Sequence, residues 1–242
     1  WTLVLSIIAT IVLQEMAARL GIVSQKSLSE VIKNEIKNPL TKNIIITLIL
    51  LAIVIGNAAY EAGNISGGVL GLESVFGEKS LNILGHNINF YGILLGLIAF
   101  IVLFIGNYKV LEKSLIFLVI IMSVSFVITA VITKPDFLKL IEGLFIPKFP
   151  KGSILIIIGL IGTTVVPYNL FLHASLVKEK WNKVSDLKFA RNDTIIAIVI
   201  GGIVSMCIVI SSASLEIESI NNAADLAKGI EPLYGFISKY IL

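Results

Sequence analysis

The 242-residue chain is 56% hydrophobic and only 14% charged, with a mean hydropathy of +0.96. These proportions exclude an ordinary soluble domain, and a net charge of +3 spread along the chain gives no reason to expect nucleic acid as a partner. The single cysteine, Cys207, excludes a disulfide framework and a thiolate metal cage. The composition therefore predicts an integral membrane protein.

Seven apolar segments follow one another along the chain and predict an all-α membrane protein. They are rich in Ile, Leu and Val on all faces and lack the alternation of a membrane β-barrel. They lie at about residues 1–18, 43–63, 90–107, 115–133, 153–177 and 194–215 and, incompletely, from residue 232. The first and last are shorter than the ~20 residues of a spanning helix. We therefore expect the chain to be a piece of a longer membrane protein that continues on both sides.

The distribution of basic residues predicts the orientation of these segments. Twelve of the 19 lysines and arginines fall in the connections after the first, third and fifth segments. Because basic residues accumulate on the cytoplasmic side, we expect Trp1 on the outside. In the first of these connections, Ser27 and Glu30 have the spacing of a capping box ahead of a short amphipathic helix. Glu15 and Arg19, just before it, have the spacing of a helical ion pair.

Two connections on the predicted outer side are polar. His86 lies in one of them, and we expect a solvated loop there. The longer one, residues 134–151, carries Asp136 and Glu142 among its lysines, and we expect it to be an ordered external loop.

The second segment brings polar residues to membrane depth, namely Asn57, Tyr60, Glu61 and Asn64. Four-residue spacing places Asn57 and Glu61 on one face of a helix. An ionisable residue inside a membrane is a functional candidate. The alternative is that Glu61 is an interfacial residue at the outer end of the helix.

The fifth segment is interrupted at its centre. Pro167 has no amide hydrogen and its ring collides with the carbonyl four residues earlier, that of Thr163, so we expect a broken helix. Unwound backbone at membrane depth lines substrate sites in many transporters, but nearby hydroxyls and helices also accommodate kinking prolines. Both interpretations, a substrate site beside Thr163 and Val166 and a structural kink, are open on this pattern. His173, further along, is either a proton-relay or exit-path residue or a histidine hydrogen-bonded within the bundle.

Three stretches of the sequence resemble one known family. They are GTTVVPYNLFLHASLV from Gly162, QEMAARLGIV at residues 14–23 and AADL at residues 223–226. In this order and spacing they resemble the sixth-helix signature, the end of the second helix and the lead-in to the eighth helix of the natural resistance-associated macrophage protein (Nramp) family of divalent-metal transporters.

The resemblance implies a LeuT-like fold of two inverted five-helix repeats, with helices one and six broken around a metal site near the midplane. The chain would then be part of a single transmembrane transporter domain, running from helix two into helix eight. Helices two to five of the first repeat would occupy about residues 1–133, and the second repeat would begin at about residue 152.

The resemblance also implies a metal site in the interrupted segment. The family's coordinating backbone carbonyl falls on Thr163, its methionine thioether on Val166 and its histidine on Tyr168, while Asn169 matches the family as it stands. We therefore predict Thr163, Val166, Tyr168 and Asn169 as the metal site, with the helix break at Pro167. Because Val166 removes the soft sulfur donor, the ion is expected to be magnesium or manganese, as in the Nramp-related magnesium transporter branch.

Proton coupling is less well supported by the same resemblance. His173 matches the family, whereas the acidic pair linked to proton movement appears here as Ala58 and Glu61, so only one acid is kept. We predict His173, Glu61 and Asn57 as residues of an ion or proton path.

These expectations combine into one predicted function, a secondary transporter or facilitator that moves a divalent cation by alternating access. It is predicted to be a multi-pass protein of a bacterial plasma membrane, with no cofactor and no enzymatic activity. Its partners are the lipid bilayer and the metal substrate, and the sequence carries no sign of its oligomeric state. Competing interpretations are a LeuT-like amino-acid transporter, a transition-metal/proton symporter of the ordinary Nramp type, a membrane-embedded enzyme and a non-transporting metal sensor.

Overall fold

The computed structural model describes residues 1–83, 85–106, 108–181, 183–213 and 235. Nine α-helices, a 3-10 turn and one β-hairpin are found in these ranges. The helices are α1 (Thr2–Ser24), α2 (Leu28–Glu35), α3 (Pro39–Phe76), α4 (Phe90–Ile105), α5 (Tyr108–Ile132), α6 (Phe137–Phe145), α7 (Ile154–Thr164), α8 (Pro167–Lys180) and α9 (Leu187–Ala213). The hairpin pairs β1 (Ser80–Ile83) with β2 (His86–Asn89), and the 3-10 turn is Val184–Asp186.

Five helical stretches in these ranges are long and apolar enough to cross a membrane. They are Thr2–Ser24, Pro39–Phe76, Glu112–Ile132, Ile154–Lys180 and Val184–Ala213. The prediction of an all-α, multi-pass integral membrane protein is therefore confirmed. The predicted segment at 90–107 is an apolar helix of 16 residues, α4, and the predicted segment from 232 lies outside the described residues.

Several local predictions are confirmed. Helix α2 begins with a capping box in which the Ser27 hydroxyl accepts from the Glu30 amide at 3.3 Å and the Glu30 carboxylate accepts from the Ser27 amide at 2.7 Å. Glu15 and Arg19 form an ion pair of 2.6 Å on α1. The loop predicted at 134–151 is ordered around α6, which was not itself predicted.

Several boundaries differ from the sequence predictions. The first segment, expected to be shorter than a spanning helix, is the 23-residue helix α1 and is long enough to cross a membrane. The second segment was expected to end near residue 63, but α3 continues to Phe76. The glycines beyond that point stay helical because a glycine costs only about 1 kcal/mol in a helix and tertiary contacts can override it. At Gly68, for example, an added Cβ would lie 2.9 Å from the Leu95 side chain on α4, so the missing side chain lets the two helices approach closely. The expected loop around His86 is instead a hairpin, turned at Gly85 with φ of +82°.

The contacts divide the chain into two compact units. Unit 1 comprises Trp1–Ala58 and Asp136–Ser205, and unit 2 comprises Ala59–Pro135 and Met206–Leu242. In unit 1, α1 packs along α7 and α8. Its buried cluster consists of Ala18, Ile22, Val177 and Ala190, with Trp181 and Leu187 packed against it. In unit 2, Phe126 of α5 is buried and its carbonyl accepts a hydrogen bond of 3.3 Å from Ser211 of α9.

Candidate functional site

The fifth apolar segment is discontinuous, as expected. Helix α7 ends at Thr164 and α8 begins at Pro167. Val165 has φ of −97° and ψ of 73°, and Val166 is extended, with φ of −90° and ψ of 129°. Pro167 occupies the first turn of α8, where a missing amide hydrogen is tolerated because that amide has no helical acceptor. Two residues of non-helical backbone therefore separate two helices within one membrane-length stretch.

Hydrogen bonds cap the two helix ends that border the break. The Val165 amide donates to the Ile161 carbonyl at 2.9 Å, and the Asn169 amide donates to the Val166 carbonyl at 3.1 Å. The hydroxyls of Thr163 and Thr164 both donate to the Leu160 carbonyl, at 3.0 and 2.9 Å. Both threonine hydroxyls therefore bond within the last turn of α7, and their oxygens keep lone pairs that can accept further contacts.

The predicted metal residues differ in burial. Val166 is buried, with 7% of its surface exposed. Tyr168 and Asn169 are half-buried, whereas Thr163 and Pro167 are exposed. The predicted metal residues therefore lie within three residues of the break, and their side chains differ in burial.

His173 makes a hydrogen bond to a neighbouring helix. Its Nε2 lies 3.0 Å from the Thr194 hydroxyl of α9, and that hydroxyl donates to the Ala190 carbonyl at 2.8 Å. Because a hydroxyl has one hydrogen, Thr194 accepts from His173, which places a proton on Nε2. In a neutral ring Nδ1 is then the unprotonated nitrogen. The bond within the bundle, one of the two interpretations of His173, is present; a role in an ion or proton path stays a prediction.

Asn57 and Glu61 both lie inside α3, as the four-residue spacing predicted. Asn57 is half-buried and Glu61 is exposed. Because α3 continues to Phe76, Glu61 does not stand at the end of its helix. These positions do not test whether Asn57 and Glu61 line an ion or proton path.

Carboxylates, histidines and cysteines do not cluster here. Within the ranges that the structure describes, no group of three or more of these side chains could hold a metal ion. The residues at the break carry backbone carbonyl oxygens, the hydroxyls of Thr163 and Tyr168 and the side-chain amide oxygen of Asn169. Such oxygen donors suit hard cations.

Two contacts of this region were not predicted. Thr194 carries no local signal, because its partner His173 is 21 residues away in sequence. The other is the close approach of α1 and α8 at Gly21, where an added Cβ would collide with the Ala174 carbonyl oxygen. The small residues of α1 at Ala17 and Gly21 have the four-residue spacing of such helix contacts and were the available signal.

Sequence comparison identifies the relatives of this chain. The family model described as "Natural resistance-associated macrophage protein-like" matches residues 1–242. The chain belongs to the Nramp family. It is 27% identical over 224 residues to the "Divalent metal cation transporter MntH" of Bacillus subtilis, an alignment that covers 89% of this chain and 50% of that protein.

Two eukaryotic Nramp proteins are similar as well. The "Metal transporter nramp1 homolog" of Dictyostelium discoideum is 28% identical, over 100% of this chain and 45% of that protein. "Natural resistance-associated macrophage protein 1" of Bison bison is 32% identical, over 74% of this chain and 32% of that protein. The Nramp chain thus spans about half the length, or less, of these curated relatives.

Proposed function

We propose that this chain is part of a secondary transporter or facilitator that moves a divalent metal cation, magnesium or manganese, across a bacterial plasma membrane. The observation that carries the proposal is the two-residue break between α7 and α8, in a chain whose whole length matches the Nramp family. The Bacillus subtilis relative named as a divalent metal cation transporter supports it.

The proposed site is built from oxygen donors at the break. The Thr163 carbonyl is the proposed backbone ligand, because Pro167 has no amide hydrogen to donate to it. A carbonyl oxygen has two lone pairs, so it can bind a cation while it also accepts a hydrogen bond. The side-chain amide oxygen of Asn169 and the hydroxyl oxygen of Tyr168 are the further proposed ligands, both from the first turn of α8. Magnesium retains several of its waters, so few direct protein ligands suffice.

Val166 supports the choice of ion. A thioether at this position would favour transition metals, whereas valine contributes no donor atom. The proposed role of Val166 is that of a pocket wall without sulfur. A transition-metal/proton symporter of the ordinary Nramp type would instead have to prefer transition metals to magnesium and manganese.

The remaining assignments follow the same scheme. We propose that Asn57, Glu61 and His173 line the ion or proton path, and that alternating access reorients the helices around the break. The chain would form part of a single transmembrane domain, with helices two to five of the first repeat at about residues 1–133 and the second repeat beginning at about residue 152.

Metal uptake by the full-length protein tests the proposal. The protein is reconstituted into liposomes loaded with a metal-sensitive dye, and uptake of Mg²⁺, Mn²⁺, Fe²⁺ and Cd²⁺ is compared with protein-free liposomes. We expect uptake of Mg²⁺ or Mn²⁺. Strong Fe²⁺ or Cd²⁺ uptake without either would overturn the ion assignment.

The same liposomes distinguish a metal transporter from a metal sensor and from an amino-acid transporter. Metal binding without uptake would indicate a sensor, and uptake of labelled amino acids without metal uptake would indicate a LeuT-like amino-acid transporter.

A further inference from the structure

Helix α6 lies in the connection between two membrane-length stretches and is capped at both ends. The Asp136 carboxylate accepts from the amides of Leu138 and Lys139, at 3.0 and 3.3 Å, at its first turn. At its end the Ile146 amide donates to the Glu142 carbonyl at 2.8 Å. The nine residues of α6 are therefore held as a helix by bonds at both ends.

The surface of α6 is divided into three strips. One strip, at Leu140 and Leu144, is half-buried, and α6 contacts α1. The second strip is charged and consists of Lys139 and Glu142. The third, which we call the apolar strip, is exposed and comprises Phe137 at 69%, Leu138 at 79%, Ile141 at 39% and Phe145 at 72% exposure.

An apolar strip of this size is costly in water. Removing large apolar side chains from water is the main favourable contribution to folding and association, and four such side chains lie side by side on α6. Three kinds of cover can be compared: the lipid bilayer, another segment of the full-length protein, and a second copy of the chain.

The position of α6 favours the bilayer. Only residues 133–136 separate α5 from α6, and five extended residue steps reach at most about 18 Å. At ~14 Å, nine helical residues are too short to cross a ~30 Å hydrocarbon core. Helix α6 is therefore not a membrane span itself, and its first residue is tethered within ~18 Å of the end of a membrane-length helix.

The residues next to α6 have the chemistry of a membrane interface. The Trp1 indole donates to the Lys148 carbonyl at 3.2 Å, and its ring centroid lies 5.0 Å from that of Phe149. The Lys148 ammonium pairs with Glu142 at 2.5 Å, on the charged strip of α6. Tryptophan is enriched at the headgroup level, and amphipathic helices with lysines on the polar face lie in that layer. Trp1, Phe149 and Lys148 therefore supply, beside α6, residue types that are suited to a bilayer surface.

We propose that α6 lies flat in the membrane interface, with the apolar strip of Phe137, Leu138, Ile141 and Phe145 inserted among lipid headgroups and upper acyl chains. The charged strip of Lys139 and Glu142 then faces water. In this arrangement α6 anchors the start of α7, and hence the broken helix, to one bilayer surface.

Spin-label accessibility tests the proposal in the full-length protein. Single cysteines replace Leu138 or Phe145 on the apolar strip, and Lys139 or Glu142 on the charged strip as matched controls, in a Cys207→Ala background that also lacks any other native cysteine. Each nitroxide is measured in phosphatidylcholine–phosphatidylglycerol liposomes for collision with oxygen, which partitions into lipid, and with a water-soluble nickel chelate.

We expect labels at Leu138 and Phe145 to collide more with oxygen than with nickel, and labels at Lys139 and Glu142 to show the reverse. Higher nickel collision at both apolar positions would place the strip in water and overturn the proposal. Labels at both positions that collide with neither reagent would show a protein cover instead, which also overturns it. Dipolar broadening that disappears on dilution with unlabelled protein would identify that cover as a second copy. Because Leu138 and Phe145 are substituted in separate variants, the second variant still tests the proposal if the first one folds poorly.

Discussion

At the scale of single residues, Val166 is the position at which the proposed site has no soft donor atom. We expect Val166→Met to lower the dissociation constant for Cd²⁺ in the full-length protein, because the thioether adds a soft donor beside the proposed oxygens. Binding is measured by calorimetry, with Val166→Leu as the control that changes the side chain without adding sulfur. An unchanged Cd²⁺ isotherm for Val166→Met would mean that this side chain does not face the ion.

Thr194 joins two helices through one hydroxyl. It accepts from His173 and donates to Ala190 while 3% exposed. Thr194→Val keeps the shape and removes both bonds, one of them between helices, so we expect a loss of about 0.6 kcal/mol and at most about 1.7 kcal/mol, the average and the maximum for hydrogen bonds between membrane helices. The measurement is thermal unfolding of the detergent-solubilised full-length protein. Ser205→Ala is the control, since its hydroxyl donates to Gly201 of its own helix, and an equal loss in both variants would contradict the role of Thr194.

Sequence reasoning at this scale succeeded where the chemistry is local. Pro167 acts on its own helix, so the break could be placed from the residue type alone. Thr194 could not be found, since a threonine at the start of the predicted apolar segment 194–215 is ordinary and its partner lies on another helix. The identity of the ion-facing atoms could not be derived either, because it depends on which backbone carbonyls the surrounding helices direct inward.

At the scale of helix pairs, the contact between α1 and α8 depends on Gly21. Its added Cβ would collide with the backbone oxygen of Ala174, which cannot rotate away as a side chain would. We expect Gly21→Ala to destabilise the full-length protein by about 1–3 kcal/mol, seen as a lower thermal midpoint. Gly201→Ala on α9 is the matched control, since nothing lies within 4 Å of its added Cβ. Equal midpoints for the two variants would show that α1 and α8 are not tightly packed.

The capping box gives α2 a pH dependence. The Ser27 amide and then the Ser27 hydroxyl donate to the Glu30 carboxylate and lower its pKa below 4.5. A depressed pKa means that the stabilisation is fully present above pH 4.5 and is lost as the pH falls through the lower pKa of the folded state. We expect a nitroxide at Asn34→Cys, in liposomes, to become more mobile only in that acidic range.

Two variants separate the cap from general acid effects on α2. Glu30→Gln removes the titrating group, so it should abolish the change in mobility. Glu35→Gln, on the same helix but outside the cap, should keep it. A mobility change that survives Glu30→Gln would contradict the assignment.

Element boundaries show where sequence patterns were insufficient. The capping box of α2 is a local signature and was placed correctly. The continuation of α3 to Phe76 was not, because the apolar run was drawn only to about residue 63 and the close approach of Gly68 to Leu95 involves another helix. Helix α6 had a readable signal, the apolar–charged pattern of FLKLIEGLF, but it is too short to stand out beside the membrane-length segments.

For the whole molecule, the orientation in the membrane is the main testable property. Four exposed lysines mark the two sides: Lys37 and Lys188 in the predicted inner connections, and Lys79 and Lys139 in the outer ones. In a full-length protein whose only cysteine replaces one of these lysines, we expect a membrane-impermeant maleimide added to intact cells to label only the outer pair. All four should be labelled after permeabilisation, and labelling of Lys188→Cys from outside would contradict the predicted orientation.

At this scale the fold class followed from composition and apolar segment length, because a bilayer permits few backbone arrangements. The metal assignment rests instead on likeness to the Nramp family. The part of the chain that the structure describes offers no acidic or histidine cluster from which a metal could have been inferred.

The geometry of Val166 has a consequence for how any ligand would meet this protein. The ring of a following proline restricts the preceding residue to extended backbone, and Val166, with φ of −90° and ψ of 129°, lies in that region. Pro167 therefore favours the non-helical conformation of Val166 by its covalent structure, independently of any ligand. A ligand that bound at the break would then require no unwinding at Val166, and the entropic cost of ordering that residue would be met during folding instead of during binding.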